Sequence, residues 1–372
     1  MSTVKIDGRP IVAEEGQTIL DAARSAGIDI PTLCWYPKLP IVGNCRICLV
    51  SVEGQAKLIP ACATKVSDGM VVTTQSHAAV ENRKGVLRLL SERYPVLNGS
   101  PHNEFERYLV QYDVVPTAVG DRDLPLRSGD ERPGDPMIRH DMSTCILCTR
   151  CVRACEDIQV VGVLDVGFRG ERAEIIVGAD GDPDKAGCTW CGECVRVCPT
   201  GAIFEVMPRQ RFAPEQIRRP EKVVRSVCPY CGVGCQVDLH VAENKVMRVT
   251  SPDIELNTPN QGSTCVKGRF GYDFPQHRDR LTRPLIRKGW TKEGSRWIWS
   301  GPTGAERRAG PWRTIEGEGR RSKPGTPPRA TGKSVRALPL LDRVDLDIRD
   351  RVATPDDWYT PFREATWDEA LE

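Results

Sequence analysis

Sixteen cysteines constrain this 372-residue sequence more than any other feature. Grouped by spacing they fall into four sets of four with none left over: Cys34, Cys45, Cys48 and Cys62; Cys145, Cys148, Cys151 and Cys155; Cys188, Cys191, Cys194 and Cys198; Cys228, Cys231, Cys235 and Cys265. A tetrahedral iron–sulfur or zinc site takes four ligands, so a complete partition into quartets points to metal sites rather than to scattered buried thiols. Disulfides are the rival use. The N-terminus, MSTVKIDGRPIVAEEGQTIL, has no apolar run behind a basic start and no twin arginine, and no stretch approaches 18 uninterrupted apolar residues. The expectation is a cytoplasmic chain without a membrane span, in a compartment where thiols stay reduced and serve soft metals. A formal charge of +2 gives no global reason to expect nucleic acid.

The third quartet lies in CTWCGECVRVCP, and the second, CILCTRCVRAC, repeats its spacing 43 residues upstream. Zinc ribbons use two separated C-x2-C knuckles rather than such triplets. The run C-x2-C-x2-C-x3-C-P resembles bacterial-type ferredoxins, in which three close thiolates wrap one cubane and the fourth reaches another. The resemblance implies cross-ligation, with Cys145, Cys148, Cys151 and Cys198 on one [4Fe-4S] cluster and Cys188, Cys191, Cys194 and Cys155 on the other. Glu156 stands where the repeat would place proline, and 32 residues separate Cys155 from Cys188. Within them VVGVLDVGFRGERAEIIVG alternates apolar residues with turn glycines and predicts an inserted strand pair.

The first quartet has the spacing C-x10-C-x2-C-x13-C. Around it the pattern predicts a hairpin from TVKIDG and RPIVAEEG, a helix over QTILDAARSAG ended by Gly27, and strands in ICLVSVEG, KLIPACATKV and MVVTT. This order resembles the β-grasp [2Fe-2S] domain at the front of respiratory NADH dehydrogenase and NAD-reducing hydrogenase subunits. Gly43, just before Cys45, suits a loop whose amides turn toward cluster sulfur. Relatives of that kind often carry a further His-x3-Cys-x2-Cys-x5-Cys cluster. This chain has His102 but no cysteine between Cys62 and Cys145, so that cluster is expected to be missing and His102 is read as a helix-start residue. The helix before it, HAAVENRKGVLRLLSERY, is expected to present Val86, Leu89 and Leu90 to a core. HNEFERYLVQY is expected to be an amphipathic helix with Phe105, Leu109 and Tyr112 on its apolar face.

The fourth quartet reads C-x2-C-x3-C followed, 29 residues later, by the cysteine of CVKG. It resembles the N-terminal [4Fe-4S] domain of molybdopterin oxidoreductases, and CPYCGVGC with CVKGRFG most resembles formate dehydrogenase. In that family the lysine two residues after the last cysteine lies between cluster and pterin, which marks Lys267 as cofactor-facing; its bare alternative is a solvated surface lysine. The segments DRLTRPLIRKG and FREATWDEALE fit the same family. Between them lies a Gly-, Pro- and Arg-rich stretch which, with its edges, carries Trp290, Trp297, Trp299, Trp312 and Trp358. That composition predicts an extended arm, and interleaved Trp and Arg suit anchoring on a partner protein.

Together these readings predict an α+β multidomain chain. Its parts are a β-grasp [2Fe-2S] domain over 1–78, a helical connector over 79–136, a 2x[4Fe-4S] ferredoxin domain over 137–210, a small [4Fe-4S] molybdopterin-oxidoreductase domain over 221–285, and an irregular arm over 286–372. Every cysteine is assigned to a cluster, leaving none to ligate molybdenum or tungsten. The resemblance therefore implies the iron–sulfur front part of an NAD-dependent formate dehydrogenase, inert toward formate alone. Its expected partners are a pterin-binding catalytic part holding the Mo/W bis-molybdopterin guanine dinucleotide and a flavin/NAD-binding iron–sulfur subunit, with no nucleic acid and no membrane. The alternative is a ferredoxin-like relay subunit of another oxidoreductase, such as an NAD-reducing hydrogenase.

Overall fold

The structure, a computed structural model, describes residues 1–92, 94, 103–115, 137–206, 208, 217, 219–252, 258–277, 280–287, 290–293, 296–299, 362–364 and 366–368. Strands β1 (Ser2–Ile6) and β2 (Arg9–Ala13) pair antiparallel through Asp7 and Gly8, both at positive φ, the Asp-Gly chemistry of a tight hairpin turn. Helix α1 (Ile19–Ser25) starts at Thr18, whose hydroxyl accepts from the Asp21 N–H while the Asp21 carboxylate accepts from the Thr18 N–H, a reciprocal cap of the kind worth about 1 kcal/mol. Strands β3 (Leu49–Val52), β4 (Ile59–Pro60) and β5 (Val71–Thr73) complete a five-stranded sheet in the order β2-β1-β5-β3-β4, with β1 and β5 parallel. Ile19, Leu20, Ala22 and Ala23 of α1 close over Val4, Ile6, Val50 and Val72 of the sheet, and Cys48 and Cys62 belong to the same buried cluster.

Helix α2 (His77–Ser91) is capped by the Ser76 side chain, which accepts from the Ala79 N–H. Its buried line is Ala79, Arg83, Leu87 and Ser91, one residue every turn. This corrects one residue of the face expected from the sequence: Leu89 is 66% exposed and Leu87 takes its place, fully buried, while Val86 and Leu90 pack against the core as expected. On this face Leu87 joins Phe105, Tyr108 and Leu109 in one buried cluster, and the fully buried Arg83 donates to the Tyr112 hydroxyl at 3.2 Å. Helix α3 (Glu104–Gln111) buries Phe105, Tyr108 and Leu109, with Tyr112 following, as its pattern predicts. His102 lies outside the described residues.

In the ferredoxin-like part, β6 (Ile138–His140) pairs antiparallel with β9 (Ile203–Glu205), drawing together the two ends of the segment that holds eight of the cysteines. Helix α4 (Arg150–Arg153) runs into a wider π-helical turn over Ala154–Ile158 that carries Cys155. The inserted strand pair is present as β7 (Leu164–Gly167) and β8 (Glu174–Val177), and α5 (Glu193–Val197) carries Cys194, the last cysteine of the triplet in the third quartet. Beyond it, β10 (Lys222–Val227), β11 (Gln236–Ala242) and β12 (Lys245–Thr250) form an antiparallel sheet, and α6 (Val266–Phe270) follows Cys265.

Residues Met1–Asp273 form one compact unit and Phe274–Glu372 another. In the second unit, β13 (Leu285–Arg287) pairs with β16 (Phe362–Glu364), and β14 (Trp290–Glu293) pairs with β15 (Arg296–Trp299), placing Trp290 opposite Trp299. Trp312, Trp358 and most of the expected arm lie outside the described residues. Among the described residues no helix is long and apolar enough to cross a membrane.

Candidate metal centres

The first quartet hangs on the loop between α1 and β3 and on the turn after β4. Gly43 and Arg46 both adopt positive φ, turning the backbone so that the Cys45 N–H points at Cys34 Sγ, 3.5 Å away. Cys48 and Cys62 approach with Sγ atoms 3.3 Å apart. A hydrogen bond from Cys45 holds the Cys34 thiol down at about 5, and one from Cys62 holds Cys48 at about 7. The same two bonds, with burial, push Cys45 and Cys62 up. All four thiols act on Cys62 or are Cys62 itself, so the quartet is one electrostatic group.

The second and third quartets repeat in backbone as well as in spacing. Leu147 and Trp190, each two residues after the first cysteine of its triplet, adopt φ of 53° and donate their N–H groups to Cys145 Sγ and Cys188 Sγ at 3.4 Å. Thr149 and Gly192, two residues further on, are again left-handed. These turns wrap each triplet inward. Burial and then the thiols of Cys148, Cys145, Cys198 and, after them, Cys194 raise Cys151, whereas burial and then Cys191, Cys188 and Cys155 raise Cys194. A cavity lined by Cys155, Cys188, Cys191 and Cys194, with Val163 and Trp190, holds the latter set. Cys155 thus shares a cavity with Cys188, Cys191 and Cys194, and Cys198 acts on Cys148 and Cys151.

The fourth quartet begins in the loop joining β10 to β11, which is closed by the Val227–Gln236 pair and by the Cys228 N–H donating to the Cys235 carbonyl at 2.8 Å. Cys265 precedes α6, and burial followed by the thiols of Cys228, Cys231 and Cys265 raises Cys235. Gly268 sits where a Cβ would lie 3.6 Å from Cys228 Sγ. Cys231, Cys265 and Lys267 are not buried, so this quartet faces outward with Lys267 at its rim.

Among the described residues no three His, Cys, Asp or Glu side chains close around a single ion. Burial lifts Cys148 to about 12 and Cys188 to about 11, which means these thiols need nearby positive charge to become thiolates. A donor set of four soft thiols per quartet, with N–H groups aimed at sulfur, fits thiolate-held iron–sulfur groups, whose iron would supply that charge.

Contacts between the parts escaped the sequence reading. Arg150, 1% exposed, pairs with Glu104 at 2.8 Å and donates to the carbonyls of Thr32 and Val197. Arg269 donates to the Cys191 carbonyl at 3.1 Å and pairs with Glu205, which also holds Arg248 at 2.7 Å. Gly192 leaves room for this, since a Cβ there would run into the Arg269 Cδ.

Comparison with known proteins finds three families along the chain. Residues 1–77 match the family described as a 2Fe-2S iron–sulfur cluster binding domain, 135–204 match the ferredoxin-like domain of NADH-quinone oxidoreductase subunit 3, and 221–277 match the molybdopterin oxidoreductase Fe4S4 domain. These are iron–sulfur domains. The chain is 36% identical over 302 residues to a G-type subunit of the NADH-quinone oxidoreductase of Rhizobium meliloti, covering 80% of this chain and 34% of that one. It is 36% identical over 291 residues to the alpha subunit of the NADPH-Fe(3+) oxidoreductase of Geobacter sulfurreducens, covering 77% and 33%. One of the NADP-reducing hydrogenase subunits of Solidesulfovibrio fructosivorans is 37% identical over 235 residues, covering 60% and 39%. The chain therefore spans about a third of the length of the first two.

Proposed function

We propose that this chain is the electron-relay portion of an NAD(P)H-linked oxidoreductase, holding one [2Fe-2S] and three [4Fe-4S] clusters on its four cysteine quartets. The cavity that Cys155 lines with Cys188, Cys191 and Cys194 carries the reading, because a thiol from one repeat beside the triplet of the other is what paired clusters require, within the compact unit that also bears the other two quartets. Two of the relatives that span most of this chain are named for NADH or NADPH chemistry, which supports a flavin-bearing, nicotinamide-binding partner at one end. The outward-facing fourth quartet suits a pterin-binding part at the other. Anaerobic reconstitution followed by iron and sulfide assay tests the reading, with about 14 iron atoms per chain expected and each cluster type visible by paramagnetic resonance. Zinc at any quartet, or a fifth cluster, overturns it.

At the finer level we take the electron donor to be formate, on the strength of CPYCGVGC and CVKGRFG. Alone, the chain then accepts electrons from dithionite but does not oxidise formate. Supplied with a pterin-binding part and a flavin partner, it supports formate-dependent NAD reduction. Lys267→Ala slows that reduction at unchanged iron content, and Lys267→Arg is intermediate, because the ammonium is taken to tune the last transfer rather than to ligate iron. An alanine variant with full turnover, where this transfer limits the rate, returns Lys267 to an ordinary surface role. Relay service to a hydrogenase is the second reading, favoured by the 37% identity to a chain of the NADP-reducing hydrogenase. The match of 221–277 to a molybdopterin oxidoreductase domain weighs against it, and hydrogen in place of formate as donor separates the two.

A further inference from the structure

Two arginines occupy equivalent positions in the repeated triplets: Arg153 follows Cys151 as Arg196 follows Cys194. Their surroundings differ. Arg196 is neutralised by Glu193, three residues earlier on α5, at 2.6 Å. The position equivalent to Glu193 in the first triplet is Arg150, a like charge already committed to Glu104. Arg153 has therefore lost the carboxylate that its counterpart keeps, and among the described residues no other carboxylate forms an ion pair with it. It is nevertheless buried, at 7% exposure.

Its guanidinium reaches out of the ferredoxin-like part instead. It donates to the Pro40 carbonyl at 2.6 Å, to the Cys34 carbonyl at 2.6 Å and to the Cys148 carbonyl at 3.4 Å. Cys34 belongs to the first quartet and Cys148 to the second, so one cation touches the backbone of both. The thiols of Cys148 and Cys34 also act on it more strongly than Asp157, the carboxylate with the largest influence on it. A guanidinium keeps its charge at any ordinary pH and is expensive to bury without an opposite charge. Carbonyl oxygens accept from its two terminal nitrogens, leaving the buried Nε without a partner, and they supply no net charge. What can supply it, within reach on both sides, is an iron–sulfur group whose thiolate ligands outweigh its iron.

We propose that Arg153 is a shared counter-cation of the [2Fe-2S] cluster on the first quartet and of the [4Fe-4S] cluster on Cys145, Cys148, Cys151 and Cys198, coupling the two electrostatically across the domain junction. The proposal rests on the cluster assignment made above. It follows that Arg153 stabilises the reduced form of both clusters, because each reduction adds negative charge beside the same buried cation, where water screens it poorly. The remaining two clusters, on the far side of the ferredoxin-like part and beyond it, lie outside its contacts. Arg153 is thus a positioning and tuning residue, with no iron ligand role of its own.

The test uses the full reconstituted chain. Iron and sulfide in the unaltered protein are measured first; a shortfall there overturns the cluster assignment and takes this proposal with it. Redox titration followed by paramagnetic resonance is then run on R153Q and R153K. The expected result is full iron in both variants, with R153Q moving the midpoints of the two named clusters to more negative potential and leaving the other two where they were. R153K, which keeps the charge, recovers most of the shift. Full iron with unmoved midpoints, an equal shift of all four clusters, or an R153K no different from R153Q each overturns the proposal while leaving the cluster assignment intact. Should R153Q load poorly, R153K decides: full loading with near-normal midpoints supports a role for the charge, and loading as poor as that of R153Q overturns it.

Discussion

Cys198 ends the third run in sequence but shares its field with Cys145, Cys148 and Cys151, and its Sγ lies 3.6 Å from the Thr200 hydroxyl. Cys198→Ala is therefore expected to disturb the cluster begun 53 positions earlier rather than the one held by its neighbours. The resonance signal assigned to Cys145, Cys148 and Cys151 should broaden or vanish, with iron falling by at most about four atoms per chain, while the signal of Cys188, Cys191 and Cys194 persists. Loss confined to the latter would refute the exchange. The left-handed residues act at the same scale. Thr149 and Gly192 stand at equivalent positions, yet only the second must be glycine for a packing reason, since Arg269 fills the space that its Cβ would occupy.

At the scale of elements, β11 and β12 carry a polar pair on a sheet that otherwise buries Val237, Val241, Met247 and Val249. His240 Nε2 meets the Thr250 hydroxyl at 2.8 Å. Burial, with Arg248 beside it, lowers the His240 pKa from 6.5 to about 4. Between those values the unfolded chain binds a proton that the folded one refuses. The resulting stability is complete above about pH 6.5 and is lost progressively as the pH falls toward 4. Denaturant unfolding of the cluster-free chain should show this slope, and His240→Gln should flatten it; an unchanged slope would assign the acid sensitivity elsewhere. The other elements follow simpler rules. The five-stranded sheet and α1 are set by alternation, an Asp-Gly turn and a capped start, each legible over a few residues.

Across the whole molecule, buried arginines join the parts. The Arg248–Glu205–Arg269 triad links β12, β9 and α6, and through Arg269 it reaches the Cys191 carbonyl of the third triplet. Glu205, 6% exposed, is the carboxylate that stands between these two buried guanidinium groups. Glu205→Gln should destabilise the chain by about 3–5 kcal/mol, because it leaves both cations uncompensated. Calorimetry checks the size of the loss. Hydrogen exchange checks its place, with faster exchange expected in β11 and β12 and little change in the sheet of residues 2–73. Uniform loss of protection would show that Glu205 supports the entire unit rather than this junction.

The cysteine spacings, by themselves, determined the number of quartets and the kind of chemistry they serve, because most ligands of a cluster come from short loops that must carry their thiols at set intervals, as in C-x2-C-x2-C and C-x2-C-x3-C. The strand pair between Cys155 and Cys188 and the buried face of α3 were legible for the same reason. Tertiary structure decided the rest. Three leucines at 87, 89 and 90 cover more than one side of α2, and only its packing against Phe105, Tyr108 and Leu109, distant in sequence, selects Leu87 over Leu89. Arg153 and Arg269 have the composition of surface residues, and their shortest side-chain contacts are not local. Their roles come from carbonyls and a carboxylate that are 119, 78 and 64 positions away, brought close only when the domains pack and water is excluded from between them.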